Sequence, residues 1–221
     1  MIETQNKVNK LGPKIINWMV VFFKNQLSFL SDSIFDKNTT KLLDDISSKY
    51  KNISWIDDLI KWIKDTGDIN YKYKGESLLH SITKYGYNDI NNFINLLSVP
   101  WIDSNISDSL WLTPLMIAAK EWSNDIVKIL LKHPNIDINK KQPSTWESAI
   151  FKTLWYRNLE IIKILYRDDR LDRNATNLEL STFKEKLLSR IKIRKINKND
   201  PLLKEFEEIL VSINWIMRHK L

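Results

Sequence analysis

The tripeptide Asp-x-Asn recurs at a nearly constant interval along this 221-residue chain. The aspartates of successive copies are separated by 35, 34 and 35 residues. Sequence periods of about 20 to 50 residues are typical of solenoids, propellers and other repeat arrays. The spacing therefore predicts a repeat architecture, whose copies are Asp68-Ile69-Asn70, Asp103-Ser104-Asn105, Asp137-Ile138-Asn139 and Asp172-Arg173-Asn174.

An apolar segment with helical periodicity precedes each tripeptide. Residues 126–131, Ile-Val-Lys-Ile-Leu-Leu, align with residues 161–166, Ile-Ile-Lys-Ile-Leu-Tyr. Residues 56–63 and 90–97 hold the corresponding apolar stripes of the earlier copies. A shorter helix is predicted upstream of each stripe, most clearly over residues 113–119. That segment begins with a threonine suited to an N-cap and a proline suited to the first helical turn.

The segment Thr113-Pro114-Leu115-Met116-Ile117-Ala118-Ala119 resembles the Thr-Pro-Leu-His-x-Ala signature of the ankyrin repeat family. Gly75 to His80 matches more loosely, with Ser77 at the capping position and His80 at the signature histidine. Residues 148–151 match more weakly still. The resemblance implies an all-α, ankyrin-type helix-turn-helix solenoid with helical N- and C-terminal caps, because each unit buries its apolar face only against its neighbours.

The chain departs from the family pattern at the glycine between the two helices of a unit. Gly86 keeps that glycine, whereas Trp122 and Arg157 stand at the corresponding places. We expect four repeats between two caps. The predicted segments are 1–38 as the N-terminal cap, 39–70, 71–105, 106–139 and 140–174 as repeats, and 175–221 as a basic C-terminal cap.

Composition excludes several classes of chemistry. The chain has no cysteine, four glycines and three histidines that lie far apart in sequence. Thiolate metal sites, disulfides and cysteine nucleophiles are therefore absent, and no glycine-rich phosphate loop occurs. We expect no catalytic residues, no metal, no cofactor and no small-molecule substrate, and hence a protein that is not an enzyme.

The apolar run at residues 15–23 follows three lysines, as the core of a signal peptide does. Asn17 interrupts it, Lys24 ends it, and it is too short to span a bilayer. We therefore expect a capping helix here, with membrane contact as the alternative, and predict no stable membrane insertion. A cytoplasmic location, or the cytosol or nucleus of a host, is the matching expectation.

The resemblance implies a protein partner that contacts the finger-like turns and the exposed side of each unit's first helix. Tryptophan and tyrosine dominate interaction hot spots, and the chain contains nine tryptophans. Core packing between irregular repeats is the alternative role for each of them. The candidate partner-binding residues are Tyr71, Tyr73, Lys84, Tyr85, Trp111, Lys120, Lys140, Lys141, Trp146, Trp155 and Tyr156.

Three further interpretations concern function. The net charge of +7 arises from the flanks, since residues 53–174 are neutral, and a basic C-terminal helix could bind nucleic acid through phosphates. A faint likeness of residues 200–210 to an F-box-like helix pair suggests a ubiquitin-ligase substrate adaptor. The abundance of Ile, Lys and Asn is typical of AT-rich genomes and suggests a viral or intracellular-pathogen effector. The nucleic-acid candidates are Lys184, Lys186, Arg190, Lys192, Arg194 and Lys195.

Overall fold

A computed structural model describes residues 35–53, 55–85, 90–121, 123–156, 159–179, 181–196 and 203–219. These residues form ten helices and one two-stranded antiparallel hairpin. The strands are β1 Lys72–Tyr73 and β2 Glu76–Ser77, with Lys72 opposite Ser77. The helices are α1 Lys37–Lys49, α2 Ile56–Thr66, α3 Leu78–Tyr85, α4 Ile90–Leu97, α5 Pro114–Lys120, α6 Asn124–Lys132, α7 Ala149–Tyr156, α8 Leu159–Arg167, α9 Phe183–Ile196 and α10 Leu203–His219.

Helix pairs stack along the chain, as the repeat period predicts. Helices α3, α5 and α7 pack side by side, and α4, α6 and α8 form a second layer behind them. Contacts within the first layer are more extensive, because small residues such as Ala118 and Ala119 are fully buried there and let the helices approach. We call α3, α5 and α7 the inner layer, since the family resemblance predicts the concave face on this side, and α4, α6 and α8 the outer layer. An all-α solenoid is confirmed.

The start of α5 follows the sequence prediction. Thr113 is the N-cap, and its Oγ1 accepts a hydrogen bond from the Met116 backbone N–H at 3.2 Å. Pro114 occupies the first helical turn, where its missing N–H leaves no hydrogen bond unmade. Leu115 and Met116 are buried against the neighbouring units. Local capping and burial thus fix the helix at the predicted place.

The Asp-x-Asn tripeptides connect successive repeats through hydrogen bonds. Within each copy the aspartate accepts the asparagine N–H; Asp103 Oδ1, for example, accepts from Asn105 N at 2.9 Å. The asparagine side chain then spans to the next turn. Asn105 Nδ2 donates to the Asn135 carbonyl at 2.6 Å, and the Asp137 N–H donates to Asn105 Oδ1 at 2.7 Å.

Asn70 and Asn139 repeat this pair of bonds toward the turns at 101–103 and 170–172. The side chain of Asn174, in the last copy, is exposed and makes no hydrogen bond to any described residue. The constant interval of the tripeptide is therefore the length of chain needed to reach the same place in the next repeat. We call this set of bonds the asparagine ladder.

The first helix pair makes its contacts in a different order. Helix α1 lies against α4 of the outer layer, and α2 contacts the inner helix α3 and strand β1. The apolar stripes of both helices are buried, with Leu43, Ile46, Leu59 and Ile63 fully enclosed. Residues 37–66 thus cover the exposed end of the next unit, and the turn at 68–70 keeps the ladder in register.

The C-terminal helices close the other end. Helix α9 packs on α7 and α10 packs on α8, with Phe183, Leu187 and Phe206 buried at the contact. A capping box starts α9, because the Thr182 N–H donates to Glu185 Oε2 at 2.7 Å and the Glu185 N–H donates to Thr182 Oγ1. The predicted helical C-terminal cap is therefore confirmed. The predicted N-terminal capping helix, Gly86, Trp122 and Arg157 lie outside the described residues.

Candidate functional site

A hairpin precedes each inner helix. The β1–β2 hairpin before α3 is the first, and two hairpin-like loops, each closed by a backbone hydrogen bond, are the second (106–113) and the third (140–148). We call their bends the tips, and three tip positions are equivalent. Gly75, Trp111 and Trp146 each lie three residues before the start of an inner helix. All three have left-handed backbone, with φ of 86°, 62° and 55°. Trp111 is 59% exposed and Trp146 is 50% exposed. The hairpins thus place two large aromatic side chains at the same point of neighbouring units, facing solvent.

The tips of the last two hairpins are held by hydrogen bonds. The Trp111 N–H donates to the Asp108 carbonyl at 3.0 Å, and the Trp146 N–H donates to the Gln142 carbonyl at 2.7 Å. Gln142 Nε2 donates to the Leu110 carbonyl of the preceding hairpin at 2.7 Å. Neighbouring tips are therefore in direct contact, and their order in space follows their order in sequence.

Tyr71 and Tyr73 lie in the first hairpin and are half-buried. Tyr71 stacks on Trp62 of helix α2 with ring centroids 5.7 Å apart, and Tyr73 stacks on Trp55 with centroids 6.3 Å apart. Both tryptophans belong to the helix segment that comes before this hairpin in the chain. These tyrosines therefore pack against residues of the first helix pair, and their part in partner binding stays a prediction.

Lys84, Tyr85 and Lys120 lie at the ends of the inner helices α3 and α5. Lys84 Nζ is 3.1 Å from Glu76 Oε1 and 5.4 Å from the Tyr85 ring centroid. Partial burial acts to lower the pKa of Lys84, but the hydrogen bond and charge of Glu76 outweigh it and raise the pKa above its ordinary value. Lys120 pairs with Glu121 at 3.5 Å. Tyr85 is exposed on this face.

Lys140 and Lys141 lie in the third hairpin and are half-buried. Lys140 Nζ donates to the Asn105 carbonyl at 2.6 Å, and Lys141 Nζ donates to the Thr176 carbonyl at 3.0 Å. Lys141 Nζ also lies 5.7 Å from the Trp146 ring centroid, within cation–π range. Both lysines therefore join this hairpin to its neighbours while keeping their charge at the tips.

Trp155 and Tyr156 belong to the end of α7, and their side chains lie outside the described part of the chain. Sequence reasoning missed Trp101, which is 92% exposed with φ of 68°. Its carbonyl accepts the Asn70 amide in the ladder. Its position in the sequence could have indicated this exposure. Trp101 follows Pro100 in the turn that leads to Asp103, where the backbone reverses and no helix face buries the ring.

The basic residues of α9 do not form one continuous stripe. At 100° per residue, Lys184 and Lys192 fall on one side of the helix, and Lys186 and Arg190 fall on another. Lys186 forms an ion pair with Glu179. The side chains of Arg194 and Lys195 lie outside the described residues. The described cations thus give no single phosphate-binding track.

His80, the signature histidine, is fully buried and joins two units. Its Nδ1 lies 2.8 Å from Ser77 Oγ and accepts the Ser77 N–H, and its Nε2 lies 3.1 Å from the Leu112 carbonyl. Burial lowers the pKa of His80, while the Leu112 carbonyl and nearby Asp108 and Glu76 partly oppose the shift. The imidazole is therefore neutral at pH 7, with Nε2 donating to Leu112, and its role is structural.

A family model of ankyrin repeats, in three copies, matches residues 46–142 and again residues 79–177. The matched span covers more than half of the chain and the stacked helix pairs described above. The chain belongs to the ankyrin repeat family. A search of curated proteins gives no match. Ankyrin repeats are generally protein–protein interaction modules and are typically non-catalytic.

The ankyrin array offers no obvious site for chemistry within its described residues. These residues contain no group of histidine, aspartate and glutamate side chains that could hold a metal ion. None of their helices is long and apolar enough to cross a membrane. The exposed aromatic side chains among the described residues of the tips and inner helices are Tyr85, Trp111 and Trp146.

Proposed function

We propose that this ankyrin array is a non-catalytic module that binds a partner protein through its concave face and hairpin tips. The observation that carries the proposal is the exposure of Trp111 and Trp146 at equivalent tips, together with Tyr85 on an inner helix. Aromatic side chains contribute much contact area for little conformational entropy, which makes them frequent hot spots. The predicted repeats, 39–70, 71–105, 106–139 and 140–174, serve as the units of this surface.

The origin of the chain and its cellular location are also proposals. The abundance of Ile, Lys and Asn supports an origin in an AT-rich genome, and we extend the proposal to a viral or intracellular-pathogen effector that binds a host protein. The lack of cysteine fits a reducing compartment such as the cytoplasm. No described observation favours the ubiquitin-ligase adaptor, and the described cations of α9 form no continuous stripe for nucleic acid.

Affinity capture from a host cytosolic extract, after nuclease treatment, tests the proposal. The full chain is compared with a surface variant that carries Tyr85→Ala, Trp111→Ala, Lys120→Ala and Trp146→Ala. We expect a protein that the wild type retains and that the surface variant loses while keeping the wild-type circular dichroism spectrum.

A matched control carries Ile94→Ala, Lys128→Ala and Lys132→Ala, all partly or largely exposed on the outer layer. It should capture the same protein as the wild type. Loss of capture in this control, with retention in the surface variant, would contradict the concave-face proposal. Recovery of nucleic acid alone from an untreated extract would contradict protein binding altogether.

A further inference from the structure

Exposed apolar side chains lie at the second and third tips and at the turn before α9. The hydrogen bond from Gln142 Nε2 to the Leu110 carbonyl joins the second hairpin to the third. The Leu178 N–H donates to the Thr145 carbonyl at 2.9 Å and joins the third hairpin to the turn before α9. We call this the tip strip; its members are Leu110 (64% exposed), Trp111 (59%), Trp146 (50%) and Leu178 (61%).

The two tryptophans hold a backbone conformation that suits glycine. The turn requires a positive φ at this position, and Gly75 adopts it at the equivalent place without a Cβ clash. A tryptophan there costs about 1 kcal/mol or more in backbone strain. Because half or more of each ring is in solvent, core packing does not account for this choice. Strain kept at an exposed position is a sign of function.

Side-chain hydrogen bonds brace the second and third tips in the unbound chain. Asp108 Oδ1 accepts the N–H groups of Leu110 and Leu112, both at 2.8 Å. In the next hairpin, Lys152 Nζ donates to Gln142 Oε1 at 2.6 Å and to Glu147 Oε2 at 2.8 Å. Anchors that are already ordered lose little entropy on binding.

Most carboxylates of the tips are neutralised locally. Glu76 pairs with Lys84, Glu147 with Lys152, and Glu179 with Lys186. The lysines of the tips have no carboxylate within ion-pair distance among the described residues, and they leave a positive rim beside the strip. These lysines are Lys72, Lys74, Lys140 and Lys141.

We propose that the tip strip binds an extended segment of the partner whose apolar anchors are flanked by acidic side chains. The proposal rests on the proposed function and specifies the partner's chemistry. Stacked units repeat about every 10 Å, and an extended chain advances about 3.3 Å per residue. Each tip offers one or two apolar side chains, so the strip is narrow. The partner side chains that contact Trp111 and Trp146 should therefore lie about three residues apart in the extended segment.

Selection from a phage-displayed library of random 16-residue peptides tests this assignment. The full chain is panned beside a Trp111→Gly/Trp146→Gly variant, which keeps the backbone because Gly75 adopts it already. We expect enriched peptides with apolar residues about three apart and flanking Asp or Glu. Their affinity should fall at least about tenfold for the glycine variant.

Two further variants keep the test decisive. Lys72→Glu/Lys74→Glu changes only exposed side chains and should weaken the same peptides, with an affinity that falls as salt rises. The outer-layer control Ile94→Ala/Lys128→Ala/Lys132→Ala changes exposed side chains of α4 and α6 and should leave peptide affinity unchanged.

Equal binding to the wild type and the glycine variant, enrichment of peptides without acidic residues, or no enrichment would overturn the proposal. Dimerisation of the wild type that the glycine variant lacks would assign the strip to a second copy and also overturn it. If the captured protein still binds the glycine variant but not Tyr85→Ala/Lys120→Ala, this inference fails and the proposed function stands. If nothing binds in either experiment, both fail.

Discussion

The asparagine ladder leads to a quantitative prediction at Asn105. Asn105→Ala removes the bond from Nδ2 to the Asn135 carbonyl and the bond from the Asp137 N–H to Oδ1. A hydrogen bond contributes about 1 kcal/mol net when water can replace a lost partner, as at these solvent-accessible turns. We therefore expect the free energy of unfolding to fall by about 2 kcal/mol.

Urea denaturation followed by circular dichroism measures this loss. With an m-value of about 2 kcal/mol/M, the midpoint should fall by roughly 1 M. Asn174→Ala is the matched control, because Asn174 follows Asp172 in the same type of turn and its side chain makes no bond to a described residue. Its effect should stay within about 0.5 kcal/mol.

Equal losses in the two variants would refute the ladder as the source of the effect. A loss below about 0.5 kcal/mol in Asn105→Ala would show that water replaces both bonds fully. Because each repeat is stabilised mainly by its neighbours, the ladder bond acts on the coupling between units. A broader unfolding transition in Asn105→Ala than in the control is the corresponding expectation.

Three further predictions concern other contacts. The pKa of His80 is lowered in the folded state, so just below about pH 6.5 only the unfolded chain binds a proton at this residue. The free energy of unfolding should therefore be constant above about pH 6.5 and fall as the pH decreases below it. His80→Gln should remove this fall from urea midpoints measured between pH 7.5 and 5.5. Gly75→Ala should lower the free energy of unfolding by about 1 to 3 kcal/mol, because the new Cβ would lie 2.6 Å from Ser109 Cβ and the residue would keep a φ of 86°. Adding Ser109→Gly removes the close contact but not the strained φ, so it should recover only part of the loss. Phe206→Ala in the C-terminal cap should cost about 3 to 5 kcal/mol in urea unfolding, whereas Val211→Ala on the exposed face of the same helix should change stability by less than about 0.5 kcal/mol.

The candidate site was predicted only in outline. The sequence placed Trp111 and Trp146 in the turns, because both precede a helix start that Thr113 and Ser148 mark. It could not show that Tyr71 stacks on Trp62, since the contact depends on how α2 meets the first hairpin. Side-chain exposure is set by neighbours distant in sequence, whereas turn position is set by adjacent residues.

The sequence by itself determined the repeat period, the positions of the helices and the family. Apolar periodicity and helix caps act over three or four residues, so the pattern around Thr113 was sufficient to locate α5. Only the tertiary structure decided which residues of neighbouring repeats contact one another. The asparagine ladder and the bond from Gln142 to Leu110 join residues about one repeat apart. Stacking brings such residues together, and it therefore decides which tryptophans stay in solvent.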